Sequence, residues 1–385
     1  MSRPMICSVV GARPNFMKIA PIVSELTRRG LSQMLVHTGQ HYDAEMSQVF
    51  FEELGLRAPD RDLGVGPDTH ARQTAAVMVA FEEVCVQESP ELVLVGGDVN
   101  STLGAALAAA KLEIPVAHVE AGLRSFDRSM PEEINRVLTD HLCEILFTTE
   151  TSANVNLARE GIAPQRIYFV GNCMIDTLMQ HVEESRRRLP WQAFGLAPRR
   201  YALVTLHRPG NVDDPEALAS LVQAINQVGE LLPVIFPLHP RTEQRLGRRG
   251  PQLSPSVGVS GPLSYLNFIG LLAEARCVLT DSGGVQEEAT ALGVPCLTLR
   301  HNTERPATVD VGTNRLVGTD PARVFEHVQA ILAGRWHVGH PPPLWDGHAA
   351  QRIVDVIQVW GSNGVQSSRT PIIAAAGDSL EKVPG

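Results

Sequence analysis

Three carboxylates stand where apolar runs end or helices begin. Asp98 lies in Gly96-Gly97-Asp98-Val99-Asn100-Ser101-Thr102, and Glu120 in His118-Val119-Glu120-Ala121-Gly122-Leu123-Arg124. Glu132 lies in Pro131-Glu132-Glu133-Ile134-Asn135-Arg136. Each has an ordinary reading. An Asp after a strand commonly caps a helix. Glu132 and Glu133 suit a helix start through the macrodipole. Together they form a set at the corresponding ends of one domain. Carboxylates that converge on a cleft raise at least one pKa by repulsion and desolvation, which is how one site obtains an acid and a base near neutral pH.

A second group of residues suits anions. Gly11-Ala12-Arg13-Pro14-Asn15-Phe16-Met17-Lys18 follows an apolar run. Glycine allows the turn, proline opens a helix, and the free amides of that helix meet a phosphate. Arg13 and Lys18 add charge, either for that phosphate or as surface cations on a solvated turn. Neither a Walker P-loop nor GxGxxG is present, so a nicotinamide reading lacks its fingerprint. In Thr280-Asp281-Ser282-Gly283-Gly284-Val285-Gln286-Glu287-Glu288 the amides of Ser282, Gly283 and Gly284 make a diphosphate cradle. Glu288, one turn on, can accept hydrogen bonds from paired ribose hydroxyls. Arg305, in Thr303-Glu304-Arg305-Pro306, suits a bidentate clamp on the same diphosphate. His207 and Arg208 could meet a leaving-group oxygen, or form a satisfied loop; His239-Pro240-Arg241 is the weaker parallel. Phe268 could stack a base, although its periodicity alone places it in the core. Gln40 and His41, in His37-Thr38-Gly39-Gln40-His41-Tyr42-Asp43, suit ligand contact or a turn capped by Asp43.

These residues need elements to hold them. Apolar runs such as Met5–Val10, Gln33–His37, Leu92–Val95, Val116–Val119 and Ile145–Thr148 alternate with amphipathic helical stretches near 45–54, 71–86, 102–112 and 132–142. The pattern pauses between about 170 and 200 and resumes at Tyr201–Leu206. Strands are then expected at Val234–Phe236, Val257–Val259, Cys277–Thr280, Cys296–Leu299 and Arg315–Val317. That alternation predicts α/β architecture with two doubly wound, Rossmann-like parallel sheets facing a cleft. The expected division is 1–171 and 172–345. A terminal helix near 346–360 packs back across the domains, and 361–385 forms a disordered tail rich in Gly, Ser, Ala and Pro. The net charge of -9 disfavours general nucleic-acid binding. No run reaches the ~20 apolar residues of a membrane span. Six scattered cysteines without a CxxC pair read as buried reduced thiols of a cytoplasmic protein.

Taken in order, these motifs resemble the non-hydrolysing UDP-N-acetylglucosamine 2-epimerases, a family with the GT-B fold. The resemblance runs from Met5 to about Val317, and its specificity lies in the joint occurrence of the motifs. It implies inversion at C2 of UDP-GlcNAc to give UDP-ManNAc, by elimination of UDP to a 2-acetamidoglucal and re-addition. It implies Asp98, Glu120 and Glu132 as the acid/base set and His207 beside the leaving diphosphate. Arg13, Lys18, Arg136, Ser282, Gly283, Gly284 and Arg305 match substrate-binding positions, Glu288 the ribose carboxylate and Phe268 the uracil contact. Gln40 and His41 match residues that line an activating UDP-GlcNAc site in some relatives. No metal or other cofactor is implied, and a homodimer is expected. The rivals are a 2-epimerase of another UDP-sugar, such as a UDP-2,3-diacetamido-glucuronate, and a GT-B glycosyltransferase. Two departures stand out: Pro209-Gly210-Asn211 after His207-Arg208, and Val99 where a Thr commonly follows the Asp.

Overall fold

The computed structural model describes residues 5–39, 53–247, 250–336 and 339–362, apart from the side chains of Arg13 and Pro14. Gln40, His41, most of the helical stretch near 45–54, and residues 363–385 of the expected tail lie outside the described residues.

The first sheet holds β1 (Ile6–Val10), β2 (Gln33–His37), β3 (Arg61–Asp62), β4 (Leu92–Gly96), β5 (Val116–Ala121), β6 (Ile145–Thr148) and β7 (Ile167–Phe169). The second holds β8 (Ala202–Thr205), β9 (Val234–Pro237), β10 (Val257–Ser260), β11 (Cys277–Thr280), β12 (Cys296–Thr298) and β13 (Asn314–Leu316). Their orders are β3-β2-β1-β4-β5-β6-β7 and β10-β9-β8-β11-β12-β13. Every pairing is parallel. Strands covered on both faces are buried at every position, Ser8 included, which is why Ile6–Val10 and Leu92–Val95 do not alternate. Each sheet reverses its direction of growth, between β1 and β4 and between β8 and β11. Ligands of doubly wound sheets bind beyond the strand ends at that reversal. Two such sheets facing a cleft make the GT-B fold.

Two strands were not anticipated. Arg61–Asp62 is an exposed pair of charged residues at the sheet edge, with no apolar run to signal it. Ile167–Phe169 is half-buried and only three residues long.

The helix Cys173–Arg187 joins the two halves. It packs on the helix Arg13–Arg28 from one side and on Tyr265–Ala273 and Gly283–Ala291 from the other. Thr177 Oγ1 donates to the Met17 carbonyl at 2.6 Å. One apolar core therefore runs from Ile19 and Ile22 through Ile175 and Leu178 to Leu266 and Ile269. The last helix, Ala349–Ser362, buries Ile353, Val354 and Ile357 against the first and the joining helices. Asp176 accepts from the amides of Ala349 (3.1 Å) and Ala350 (2.7 Å) at its start. Arg29 ties its far side, to Asp355 at 2.6 Å and Gln358 at 2.6 Å. All six cysteines are buried and free. Among the described residues no helix is long and apolar enough to cross a membrane.

Candidate functional site

Glu120 owes its position to a fault in the sheet. β5 pairs Val119 with Phe147 and then Ala121 with Thr148, so Glu120 is one residue too many. Its φ of 72° lies in the left-handed region. For a non-glycine residue that costs about 1–3 kcal/mol, and such bulges re-aim side chains. Here the carboxylate turns into a buried pocket at the strand end, where Lys18 Nζ holds one oxygen and Arg305 the other. Lys18 comes from the helix after β1 and Arg305 from the segment after β12, so the contact crosses the cleft. Lys18 is only 4% exposed, which removes the surface-cation reading for it. Arg13 opens the same helix. Asn15 shapes that turn: its Oδ1 accepts from the Ala12 amide at 3.1 Å and its amide donates to the Gly96 carbonyl at 2.6 Å.

Asp98 is not a helix cap; the cap position belongs to Val99. Its carboxylate instead takes a charged hydrogen bond from Arg136. Burial pushes the Asp98 carboxyl up, but Arg136, Lys18 and Arg305 outweigh it and hold the group at about 2. The expected upward shift falls elsewhere. Glu287, a carboxylate outside the expected acid/base set, is driven to about 8 by burial, with Glu120 adding repulsion against the pull of Arg305.

The neighbouring pair Glu132 and Glu133 divides its roles. Glu133 is buried and structural. It accepts from the Ser125 amide (2.9 Å), the Phe126 amide (2.8 Å) and Arg136 (2.8 Å). Glu132 is half-buried and makes no hydrogen bond or ion pair among the described residues. Asn135, on the same helix, donates to the Asp98 carbonyl at 2.9 Å and so ties this helix to the Asp98 turn.

Across the cleft Asp281, fully buried at the end of β11, organises a loop. It accepts from the His207 amide (3.0 Å), the Arg208 amide (2.9 Å) and the Asn211 side chain (3.2 Å). Its other oxygen lies 2.9 Å from His207 Nδ1. That contact fixes the ring and turns Nε2 away, toward a partly open site. Asn211 also donates to the Leu299 carbonyl at 3.0 Å, so the departure after Arg208 keeps a structural anchor. Ser282 occupies the N-cap position of the helix Gly283–Ala291 without a side-chain cap hydrogen bond, and the free amides of such a helix start suit an anion. A Cβ on Gly283 would stand 2.7 Å from Glu304 Oε1. Glu304 is ion-paired to Arg208 at 3.1 Å and Arg300 at 2.9 Å, and those cations with Arg305 hold its carboxyl far below the usual range despite burial. Glu288 is buried one turn into this helix. Phe268 is half-buried against the apolar core, in keeping with its periodicity. His239 and Arg241 are less central: the His239 ring lies 5.9 Å from that of His207, while Arg241 pairs with Asp213 at 2.7 Å.

Sequence reasoning assigned no role to Glu287. It meets Arg305 Nε at 2.8 Å and accepts from Asn172 at 2.9 Å. Asn172 caps the joining helix, so Glu287 connects the Arg305 clamp to the point where the chain crosses between sheets. The doubled acidic residue in Gln286-Glu287-Glu288 was the available signal, since both face inward on a short helix.

The profile of a family described as UDP-N-acetylglucosamine 2-epimerase matches residues 24–358. A UDP-N-acetylglucosamine 2-epimerase of Methanocaldococcus jannaschii is 42% identical over 358 residues, 91% of this chain and 97% of that protein. A UDP-2,3-diacetamido-2,3-dideoxy-D-glucuronate 2-epimerase of Pseudomonas aeruginosa is 44% identical over 358 residues, 91% of this chain and 99% of that protein. The crystal structure of the M. jannaschii UDP-GlcNAc 2-epimerase in complex with UDP-GlcNAc and UDP matches with a TM-score of 0.83 at 40% identity, covering 92% of this chain and 99% of that one.

Proposed function

Since this chain belongs to the UDP-N-acetylglucosamine 2-epimerase family, we propose that it interconverts UDP-N-acetylglucosamine and UDP-N-acetylmannosamine by inverting C2. The observation that carries this reading is Glu120, forced out of β5 by a bulge and gripped by a cation from each side of the cleft.

The C2 proton is not adjacent to a carbonyl, so simple abstraction and return is unfavourable. Elimination solves the problem. A carboxylate takes the C2 proton, the C1–O bond breaks with its electron pair on the diphosphate, and a C1=C2 double bond forms. Reversal, with a proton delivered to the opposite face of C2, gives the epimer. Asp98, Glu120 and Glu132 form the acid/base set for the two faces. Asp98, at about 2, is available as a carboxylate near neutral pH. His207, oriented by Asp281, stands by the leaving diphosphate.

Arg305, Arg13, Lys18 and the amides of Ser282, Gly283 and Gly284 receive the diphosphate, with Arg136 completing the positive side. Glu288 takes the ribose hydroxyls and Phe268 the uracil. An incoming diphosphate competes with Glu120 for Arg305, so binding the nucleotide would release Glu120 for chemistry. Closure of the two halves then keeps the glucal from escaping.

A second reading has one observation behind it, the 44% identity to a diacetamido-glucuronate epimerase. That sugar brings a carboxylate needing its own cation. Arg136 is committed to Asp98 and the diphosphate, and Arg208 and Arg300 both pair with Glu304, which favours the neutral sugar. Steady-state kcat/KM on both UDP-sugars tests the choice. At least tenfold preference for UDP-N-acetylglucosamine is expected; the opposite ratio, or release of free N-acetylmannosamine and UDP, would overturn it.

A further inference from the structure

Behind the three proposed acid/base carboxylates lies a buried hydrogen-bonded pair that touches none of them. His118 on β5 and Asp140 on the helix Pro131–Leu142 are both 0% exposed. His118 Nδ1 lies 2.7 Å from Asp140 Oδ1, and His118 Nε2 lies 2.8 Å from the Gly97 carbonyl. Both ring nitrogens thus face oxygen atoms, one on a side chain and one on the backbone. The second Asp140 oxygen accepts from the Gly122 amide at 3.1 Å and lies 2.7 Å from Arg124. Arg124 in turn meets Glu160 at the surface, at 2.6 Å.

The backbone atoms that this pair holds are telling. Gly97 immediately precedes Asp98, and its φ of 67° makes the turn that presents Asp98. Gly122 follows Glu120 by two residues, with a φ of 81°, so His118 and the Gly122 amide bracket the bulge. Asp140 belongs to the same helix as Glu132 and Arg136. One buried contact therefore joins the turn of Asp98, the strand of Glu120 and the helix of Glu132.

We propose that His118 and Asp140 are positioning residues, a buried brace that sets the spacing of the three carboxylates about C2. This rests on the functional reading above. Misplacement by about 1 Å costs on the order of a hundredfold in rate. Ser282, Gly283, Gly284, Glu288, Phe268 and Arg305, which carry most of the proposed nucleotide contacts, belong to the other half and are untouched by the brace; of the remaining contacts only Arg136 shares the helix of Asp140. A residue serving stability alone would lower the melting temperature and leave turnover per folded molecule unchanged.

The test compares Asp140→Asn and His118→Gln with wild type, after folding is checked by circular dichroism. Expected are a fall in kcat of about 10- to 100-fold, KM within threefold and a UDP dissociation constant within twofold. His118→Gln, which keeps a donor for the Gly97 carbonyl, should be the milder. Unchanged kcat in a folded variant would overturn the proposal, as would an equal loss of UDP binding. Should neither variant fold, Glu160→Gln at the partly exposed end of the network carries the test. A kcat loss of a few-fold supports the brace, and kcat unchanged within measurement error overturns it. If wild type itself epimerises no UDP-sugar, the functional reading fails instead, so the two failures are distinct.

Discussion

Both oxygens of Glu120 are taken up by Lys18 and Arg305, so its partners must rearrange before it can meet the substrate. Neutralising it tests whether it acts at all. Glu120→Gln should cut kcat by about 10²–10⁴ while UDP still binds, read by turnover and by titration calorimetry. Asp98 gives a pH signature. Its pKa is depressed, so its stabilising contribution is present above the ordinary carboxylate value near ~4 and is lost as pH falls toward about 2. The melting temperature should drop across that window, and Asp98→Asn should flatten the drop. The residue types of the site were legible, because Asp98, Glu120, His207 and Arg305 all follow apolar runs. Their pairings were not. Glu120 and Arg305 are 185 residues apart, and Asn172 and Glu287 115, and no local pattern encodes such contacts. The upward pKa shift was expected in the acid/base set and appears on Glu287, because the cations around Asp98 reverse the effect of burial there.

At the scale of elements, the turns after β1 and β4 are as constrained as the side chains they display. A Cβ on Gly11 would stand 2.1 Å from Ser101 Oγ and 2.3 Å from Thr38 Oγ1. Gly11→Ala should therefore cost about 1–3 kcal/mol through overpacking. Gly97 combines a φ of 67° with a Cβ position 2.8 Å from Lys18 Nζ. Gly97→Ala should lose about 1–2 kcal/mol in backbone strain and displace Lys18 from Glu120, so denaturant midpoint and kcat should fall together. The main strands were readable because a doubly covered parallel strand is a continuous apolar run. β3 escaped notice because it is a charged pair, Arg61-Asp62, at an exposed edge. The bulge at Glu120 was invisible for a different reason: Val119-Glu120-Ala121 reads as unbroken strand, and only the partner strand's register reveals the extra residue.

Over the whole molecule, the joining and terminal helices bind the halves into one body. Ile353 is 0% exposed in that seam. Ile353→Ala should cost about 2–5 kcal/mol and lower the melting temperature, while kcat at low temperature stays near wild type, because Ile353 packs in the apolar core. A terminal helix was expected near 346–360, and one spans Ala349–Ser362. Its attachment through Arg29 and Asp176 was not, since those partners are again remote in sequence. The halves meet at the cleft through Arg305 on Glu120, and the central claim is that inversion at C2 happens there. Incubation with UDP-N-acetylglucosamine in deuterated water, followed by proton NMR, tests it most directly. The account predicts that UDP-N-acetylmannosamine appears as the C2 proton signal is lost from the sugar. Product that retains its C2 proton, or intact substrate in the presence of proven UDP binding, would contradict it.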